Sequence, residues 1–381
     1  MNLLRLLRWA AFLAVFFTTL PAFSETGVTS GTIVIGQDID MTGTIAVRMK
    51  PLMQAADAYI DQVNKKGGVH GRKIKIVRTD SANKPDKTKE NIPQLLDKEG
   101  VFAMWGISGT GNVGAALPIL TERKVPLIGT TSGADVYYAK VNPWLINLKA
   151  SYGDEIRKIA QHLQQIGVRK IAVIYMDNGF GREAFKAAQA AATEHKLDVV
   201  ATSPFKEDGS DVDKAVQPIA KAAPQAVLLL TLSGPAPKLL EAYIKTQHNP
   251  QFFALSIVAT DALYKAVGDR SRGVIVTQTV PLPWDRNLTI ARDFQDLMKS
   301  INVSPEDYSM SGMEGYILAR MLVEGLQAAG KNPTREGLIA AYEKMRDKDV
   351  GGAKFSFSPT DHNGSDLVDI TIIGKNGRLV R

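Results

Sequence analysis

The sequence contains no cysteine. That absence removes thiol nucleophiles, iron–sulfur clusters and cysteine-type zinc sites. It also means that a chain of 381 residues has to be held by its apolar core without disulfides, which a chain of this length can do. Histidine is scarce as well: His70, His162, His195, His248 and His362 lie in turns or among polar helical neighbours and read as surface or capping residues. Catalytic signatures are lacking. Gly106-Ile-Ser-Gly-Thr110 misses the final glycine of a nucleophile elbow, and no H-E-x-x-H, P-loop or EF-hand pattern occurs. No catalytic residue, metal ligand or cofactor is therefore expected.

Charge of one sign is not concentrated anywhere. The formal net charge is +7, and basic residues are interleaved with acidic ones, as in Arg346-Asp-Lys-Asp349. A mixed, solvated surface follows, with no nucleic-acid partner. Long apolar runs are missing too, apart from Trp9–Leu20, which is short for a membrane span and is closed by Pro21. With Arg5 and Arg8 before it and Ala22-Phe-Ser24 behind it, this run reads as a signal peptide over residues 1–24, cleaved after Ser24. Export without disulfides points to a bacterial periplasm and a soluble mature protein.

What the sequence does contain is an alternation of short β-branched runs with helical stretches of 10–15 residues. Thr32–Gly36, Lys73–Val77, Val101–Trp105, Val125–Ile128, Trp144–Leu148, Lys170–Tyr175 and Val274–Thr277 read as strands, and further strands are expected over 197–202, 226–231 and 252–256. The intervening helices include one from about Pro51 and one over Asp154–Ile166. This rhythm predicts an α/β fold: two doubly wound, mostly parallel sheets covered on both faces, from runs at roughly 31–146 and 150–277. Helices over Ile290–Ile301, Ser311–Ala329 and Arg335–Met345, then short strands at Lys354–Phe357 and Leu367–Ile373, form a tail that packs on one or both.

Gly109-x-Gly111-x-x-Gly114 matches the dinucleotide fingerprint, with Asp135 about 20 residues further on. The match falls on the third strand of its run, however, and Asp135 is not at the tip of the next strand. An exported chain also seldom meets NAD. The stretch reads better as one of several strand-end loops. In open parallel sheets, ligands bind outside the carboxyl ends of the strands. Here those ends are Asp40–Gly43, Ser108–Thr110 and Thr130–Gly133 in the first run, and Ser151-Tyr152, Asp177–Phe180, Leu232–Gly234 and Ser256–Asp261 in the second. Hydroxyls beside helix-start N–H groups suit a small carboxylate. Each residue taken singly also has a turn or N-cap reading; their clustering at one end of two sheets favours binding.

Several segments together carry a family resemblance: Ile35–Gly43, Asn64-x-x-Gly67-Gly68-x-x-Gly71 with Ile74–Asp80, Val125–Gly129 with Thr131–Ala134, Tyr175–Arg182, and Glu314-Gly-Tyr316 with the helix through Gly330. In these the chain resembles periplasmic solute-binding proteins of the branched-chain amino acid (leucine-binding) type, with the type I periplasmic-binding fold. The resemblance implies two lobes joined by three crossover strands, with residues 31–146 and 280–350 in lobe I and 147–279 and 351–381 in lobe II. It implies a monomer that closes by a hinge over a small carboxylate ligand and docks on an inner-membrane ABC permease. A sensor of the same fold, signalling to a partner, is the alternative. Carried over by position, Ser108, Gly109, Thr110, Thr131, Ser132 and Gly133 face the ligand from lobe I, and Tyr152, Asp177, Phe180 and Ser233 from lobe II. One departure stands out. The acidic residue that pairs with an amino-acid ammonium in this family falls near Ser256-Ile257, where no acid stands and Asp261 is the nearest. Phe180 also replaces a frequent tyrosine. The ligand is then an aromatic or aliphatic carboxylate, or an amino acid if Asp177 or Asp261 reaches in.

Overall fold

A computed structural model describes residues 25–381. The leader read over residues 1–24 lies outside the described residues. Five strands, β1 (Thr32–Ile39), β2 (Lys73–Asp80), β3 (Ala103–Ile107), β4 (Leu127–Thr130) and β5 (Leu145–Ile146), form one sheet in the order β2-β1-β3-β4-β5. All its pairings are parallel. Helices α1 (Ala46–Lys65), α2 (Pro85–Asp97) and α3 (Thr110–Glu122) connect them. Strands β3, β4 and β5 are wholly buried and β1 mostly so, as a helix-covered parallel sheet requires, while the edge strand β2 is partly exposed.

The second sheet begins beyond α4 (Tyr152–Gln165). Strands β6 (Lys170–Met176), β7 (Asp198–Phe205), β8 (Ala226–Leu230), β9 (Gln251–Ala254) and β10 (Ile275–Gln278) alternate with α5 (Gly179–Glu194), α6 (Val212–Lys221), α7 (Ala236–Ile244) and α8 (Thr260–Val267). The chain then supplies α9 (Thr289–Ser300), α10 (Met310–Ala328) and α11 (Arg335–Glu343), a small antiparallel pair β11 (Lys348–Asp349) and β12 (Lys354–Phe355), and finally β13 (Asp369–Ile373) and β14 (Leu379–Val380). The last two run antiparallel and extend the second sheet to the order β14-β13-β10-β9-β8-β6-β7.

The tail is thus shared. Helix α10 is buried around nearly its whole circumference and lies along α1 on the first sheet. The two helices approach so closely at Gly315 that a Cβ there would stand 2.0 Å from the Leu52 carbonyl oxygen. Trp105 donates its indole N–H to the Leu318 carbonyl at 3.2 Å, fixing α10 to β3. Each fully buried Leu, Met or Phe in this layer contributes roughly 1.5–3 kcal/mol by leaving water.

Helix α1 starts before the Pro51 that was expected to open it. Asp40 accounts for the difference: its carboxylate accepts the N–H groups of Gly43 and Ile45, the latter at 2.9 Å, so the first turn is satisfied upstream of the proline. His362 also departs from expectation. It is 3% exposed, with Nδ1 at 2.8 Å from the Leu145 carbonyl and Nε2 at 3.2 Å from Glu343. Beside it, the N–H of Asn147 donates to the His362 carbonyl and the N–H of Gly364 donates to the Asn147 carbonyl, both at 2.9 Å. These bonds staple two of the segments that pass between the sheets; the turn composition around His362 showed nothing of that long-range packing.

Candidate ligand cleft

The carboxyl ends of the two sheets face each other. A cavity of about 70 Å³ between them is lined from the first sheet by Ile45, Asn83, Pro85, Gly109, Thr110 and Gly111. From the second side come Tyr152, Asn178, Gly179, Phe180, Glu207, Leu232 and Ile257. The two sides touch. The N–H of Gly234 donates to the Thr44 carbonyl at 3.0 Å, and Asn83 Nδ2 donates to Glu207 Oε1 at 3.1 Å and to Thr44 Oγ1 at 2.8 Å.

The glycines of the fingerprint-like stretch have local reasons. Gly109, at φ 86°, is the residue from which the chain turns into α3, and its carbonyl accepts the Val113 N–H. A Cβ on Gly111 would stand 2.8 Å from the Pro85 ring, and one on Gly114 would stand 2.8 Å from the Tyr137 hydroxyl. Close packing explains both positions without a pyrophosphate.

The expected site residues divide into two groups. Gly109, Thr110, Tyr152 and Phe180 line the cavity. Tyr152 and Phe180 meet edge to face with ring centroids 5.1 Å apart, and burial pushes the Tyr152 hydroxyl up to about 12. Below Thr110, whose hydroxyl lies 2.8 Å from that of Ser132, the other first-sheet residues are fully covered. Ser108 Oγ accepts the Asp40 N–H at 2.7 Å and so holds the β1 loop. The Gly133 carbonyl accepts the Tyr152 N–H at 2.6 Å. Thr131 is 0% exposed, yet its Oγ1 has no hydrogen-bond partner among the described residues.

On the second side, Ser233 ties the β8 and β9 loops together, donating to the Ile257 carbonyl at 2.9 Å and accepting the Ala259 N–H at 3.0 Å; its neighbour Leu232 reaches the cavity instead. Asp177 does not line the cavity. It is exposed and paired with Arg182 at 2.5 Å, while the next residue, Asn178, lines the cavity and caps α5 through Gly181 at 2.9 Å. Asp261 lies in an outer groove against α1. Neither acid proposed as an ammonium partner therefore faces the cavity.

Sequence reasoning missed four buried ionic residues behind the cleft. Arg48 on α1 pairs through Nη2 with Glu314 on α10. Lys149, in the segment between β5 and α4, has Nζ 3.9 Å from Glu314 Oε1 and 3.4 Å from Ser256 Oγ. Glu155 on α4 accepts the Ser256 N–H at 2.7 Å and its hydroxyl at 2.9 Å, and also the Thr277 hydroxyl. Burial raises the Glu155 carboxyl, opposed by Lys149 and these hydrogen bonds. So Ser256, where the family's acid was sought, has a carboxylate behind it instead of bearing one. A signal existed: Glu314 is the one charged residue in the run Met310–Ala319 that opens α10, and charged residues are almost never fully buried unless paired. Glu207 was missed for another reason: it follows β7, whose end was not among the loops read as facing a ligand.

A profile described as "Periplasmic binding protein" matches residues 32–378. The chain belongs to this family. Among solved structures, the substrate-binding periplasmic protein from Ralstonia solanacearum superposes with a TM-score of 0.85 at 29% identity, covering 91% of this chain and 99% of that one. A possible leucine/isoleucine/valine-binding protein from Rhodopirellula baltica SH 1 gives 0.86 at 27%, covering 93% and 98%. By sequence, Leu/Ile/Val-binding protein homolog 6 of Brucella abortus (strain 2308) is 23% identical over 337 residues, 87% of this chain and 85% of the relative. The fold is that of type I periplasmic binding proteins. Proteins of this family bind solutes instead of transforming them. Among the described residues, no helix of this binding protein is long and apolar enough to cross a membrane.

Proposed function

We propose that the protein is the exported substrate-binding component of an ABC import system. It closes its cleft over a small carboxylate-bearing solute and hands this, unaltered, to an inner-membrane permease. The observation that carries the reading is a cavity lined by strand ends of two separate sheets, with a hydrogen bond made directly across it between Asn83 and Glu207. Lobe I takes residues 31–146 and 280–350, and lobe II takes 147–279 and 351–381. The mature chain begins after Ser24 and works in the periplasm as a monomer. Thr110 and the uncommitted hydroxyl of Thr131 serve the carboxylate from lobe I, while Tyr152 and Phe180 cover the ligand's apolar body from lobe II. The names of the Rhodopirellula and Brucella relatives support a ligand of leucine size.

Thermal denaturation with a library of amino acids and of aromatic and aliphatic acids tests this. A ligand bound with micromolar affinity and supplied at millimolar concentration stabilises the fold by about 4 kcal/mol. If no member of either class shifts the melt, the small-carboxylate reading fails. Recovery of a chemically changed ligand would overturn the transport role.

A further inference from the structure

Arg48 is 1% exposed and stands one helical turn after Ile45, a residue of the cavity wall. Its guanidinium acts electrostatically on the hydroxyl of Tyr152, another wall residue. Only Nη2 is used, by Glu314; Nε and Nη1 find no acceptor among the described residues. Lys149, 3% exposed, is also poorly matched, its nearest acceptors being Ser256 Oγ at 3.4 Å and Glu314 Oε1 at 3.9 Å. Within this cluster, the carboxylate oxygen left without a hydrogen bond is Glu314 Oε1, and Lys149 already neighbours it. Glu155 is fully committed to Ser256 and Thr277.

A buried charged donor left without an acceptor is strongly unfavourable. Such a cluster at the back of a binding cleft is completed by an anion. An ammonium group placed there would stand beside Arg48 and Lys149, and of the two carboxylates present Glu155 is already bonded to Ser256 and Thr277, so it would compete with Lys149 for Glu314 Oε1. Glu207, the acid that does line the cavity, is half-buried, and its Oε1 already accepts from Asn83 across the cleft.

We infer that Arg48, backed by Lys149, supplies the counter-charge for the ligand's carboxylate, and that the ligand is a carboxylic acid without an α-ammonium group. This rests on reading the cleft as a small-carboxylate site.

Calorimetric titration of the purified protein with matched pairs tests it: 4-methylpentanoate against leucine, and 3-phenylpropanoate against phenylalanine. The desamino acid of at least one pair binds tenfold or more tightly than its amino acid. Removing the ion pair as a whole, in the double variant Arg48→Met with Glu314→Gln, weakens that acid by roughly 10- to 150-fold, the range for a hydrogen bond to a charged group. Arg48→Lys retains more of the affinity than Arg48→Met. An amino acid that binds as tightly as its desamino partner overturns the inference and leaves the carboxylate reading standing. So does a folded double variant that binds the acid like wild type. Failure of both series at millimolar concentration removes the carboxylate reading and the inference together. The wild-type ratio decides the matter even if the double variant does not fold.

Discussion

The backbone N–H of Gly234, in the loop after β8, donates to the carbonyl of Thr44, in the loop after β1, at 3.0 Å. This bond joins the two sheets across the mouth of the cleft. A Cβ on Gly234 would stand 2.6 Å from the same Thr44 oxygen. The contact therefore requires glycine, and it exists only when the two sides meet.

Gly234→Ala is expected to oppose closure while leaving each sheet intact. Overpacking of this kind costs about 1–3 kcal/mol, so ligand affinity falls roughly 5- to 150-fold with little change in the ligand-free melting temperature. Titration calorimetry reads the first quantity. Small-angle scattering reads the second consequence, an unchanged radius of gyration on adding ligand where wild type contracts.

Ser108 and Thr131 were expected to act alike, and their surroundings separate them. Ser108→Ala removes the acceptor of the buried Asp40 N–H and lowers stability by about 1–3 kcal/mol without ligand. Thr131→Val removes a hydroxyl that has no hydrogen-bond partner among the described residues. It leaves the ligand-free melt unchanged or raised, and it weakens ligand binding by about 0.5–1.5 kcal/mol. Melting curves and titrations of both variants distinguish the two roles; equal behaviour would remove Thr131 from the site.

Glu155 gives the fold a pH dependence of definite sign. Its folded carboxyl lies above the ordinary glutamate value of 4.5, chiefly through burial. The native state then holds a proton that the unfolded state has released. Stability contributed by this group is present below pH 4.5 and lost as pH climbs through the raised folded value. Relative to Glu155→Gln, wild type should lose stability across that window and run parallel outside it. Denaturant titrations of both proteins from pH 4 to 8 measure this, and parallel curves throughout would contradict it.

Much of the architecture was legible in the residues. Runs such as Lys170–Met176 are β-branched and apolar, and a strand buried on both faces needs nothing else to be recognised. The loops that meet at the cleft were legible as well, since Gly, Ser, Thr and Asn gather where strands hand over to helices. Thr110, Tyr152 and Phe180 of that set reach the cavity. The helix start at Ala46 was not, because Asp40 caps it from a preceding loop and overrides the signal of Pro51.

Composition and periodicity determined on their own that this is an α/β chain of alternating units without cysteine chemistry, and which strand ends offer polar groups. Those are local properties, set by side-chain period and turn chemistry within a few residues. Only the tertiary structure decided that Glu155 stands behind Ser256, that Arg48 meets Glu314, and that Gly234 touches Thr44. Each joins positions far apart in the chain, and their energies depend on burial and on the direction of single hydrogen bonds. Neither is written in the order of the residues alone.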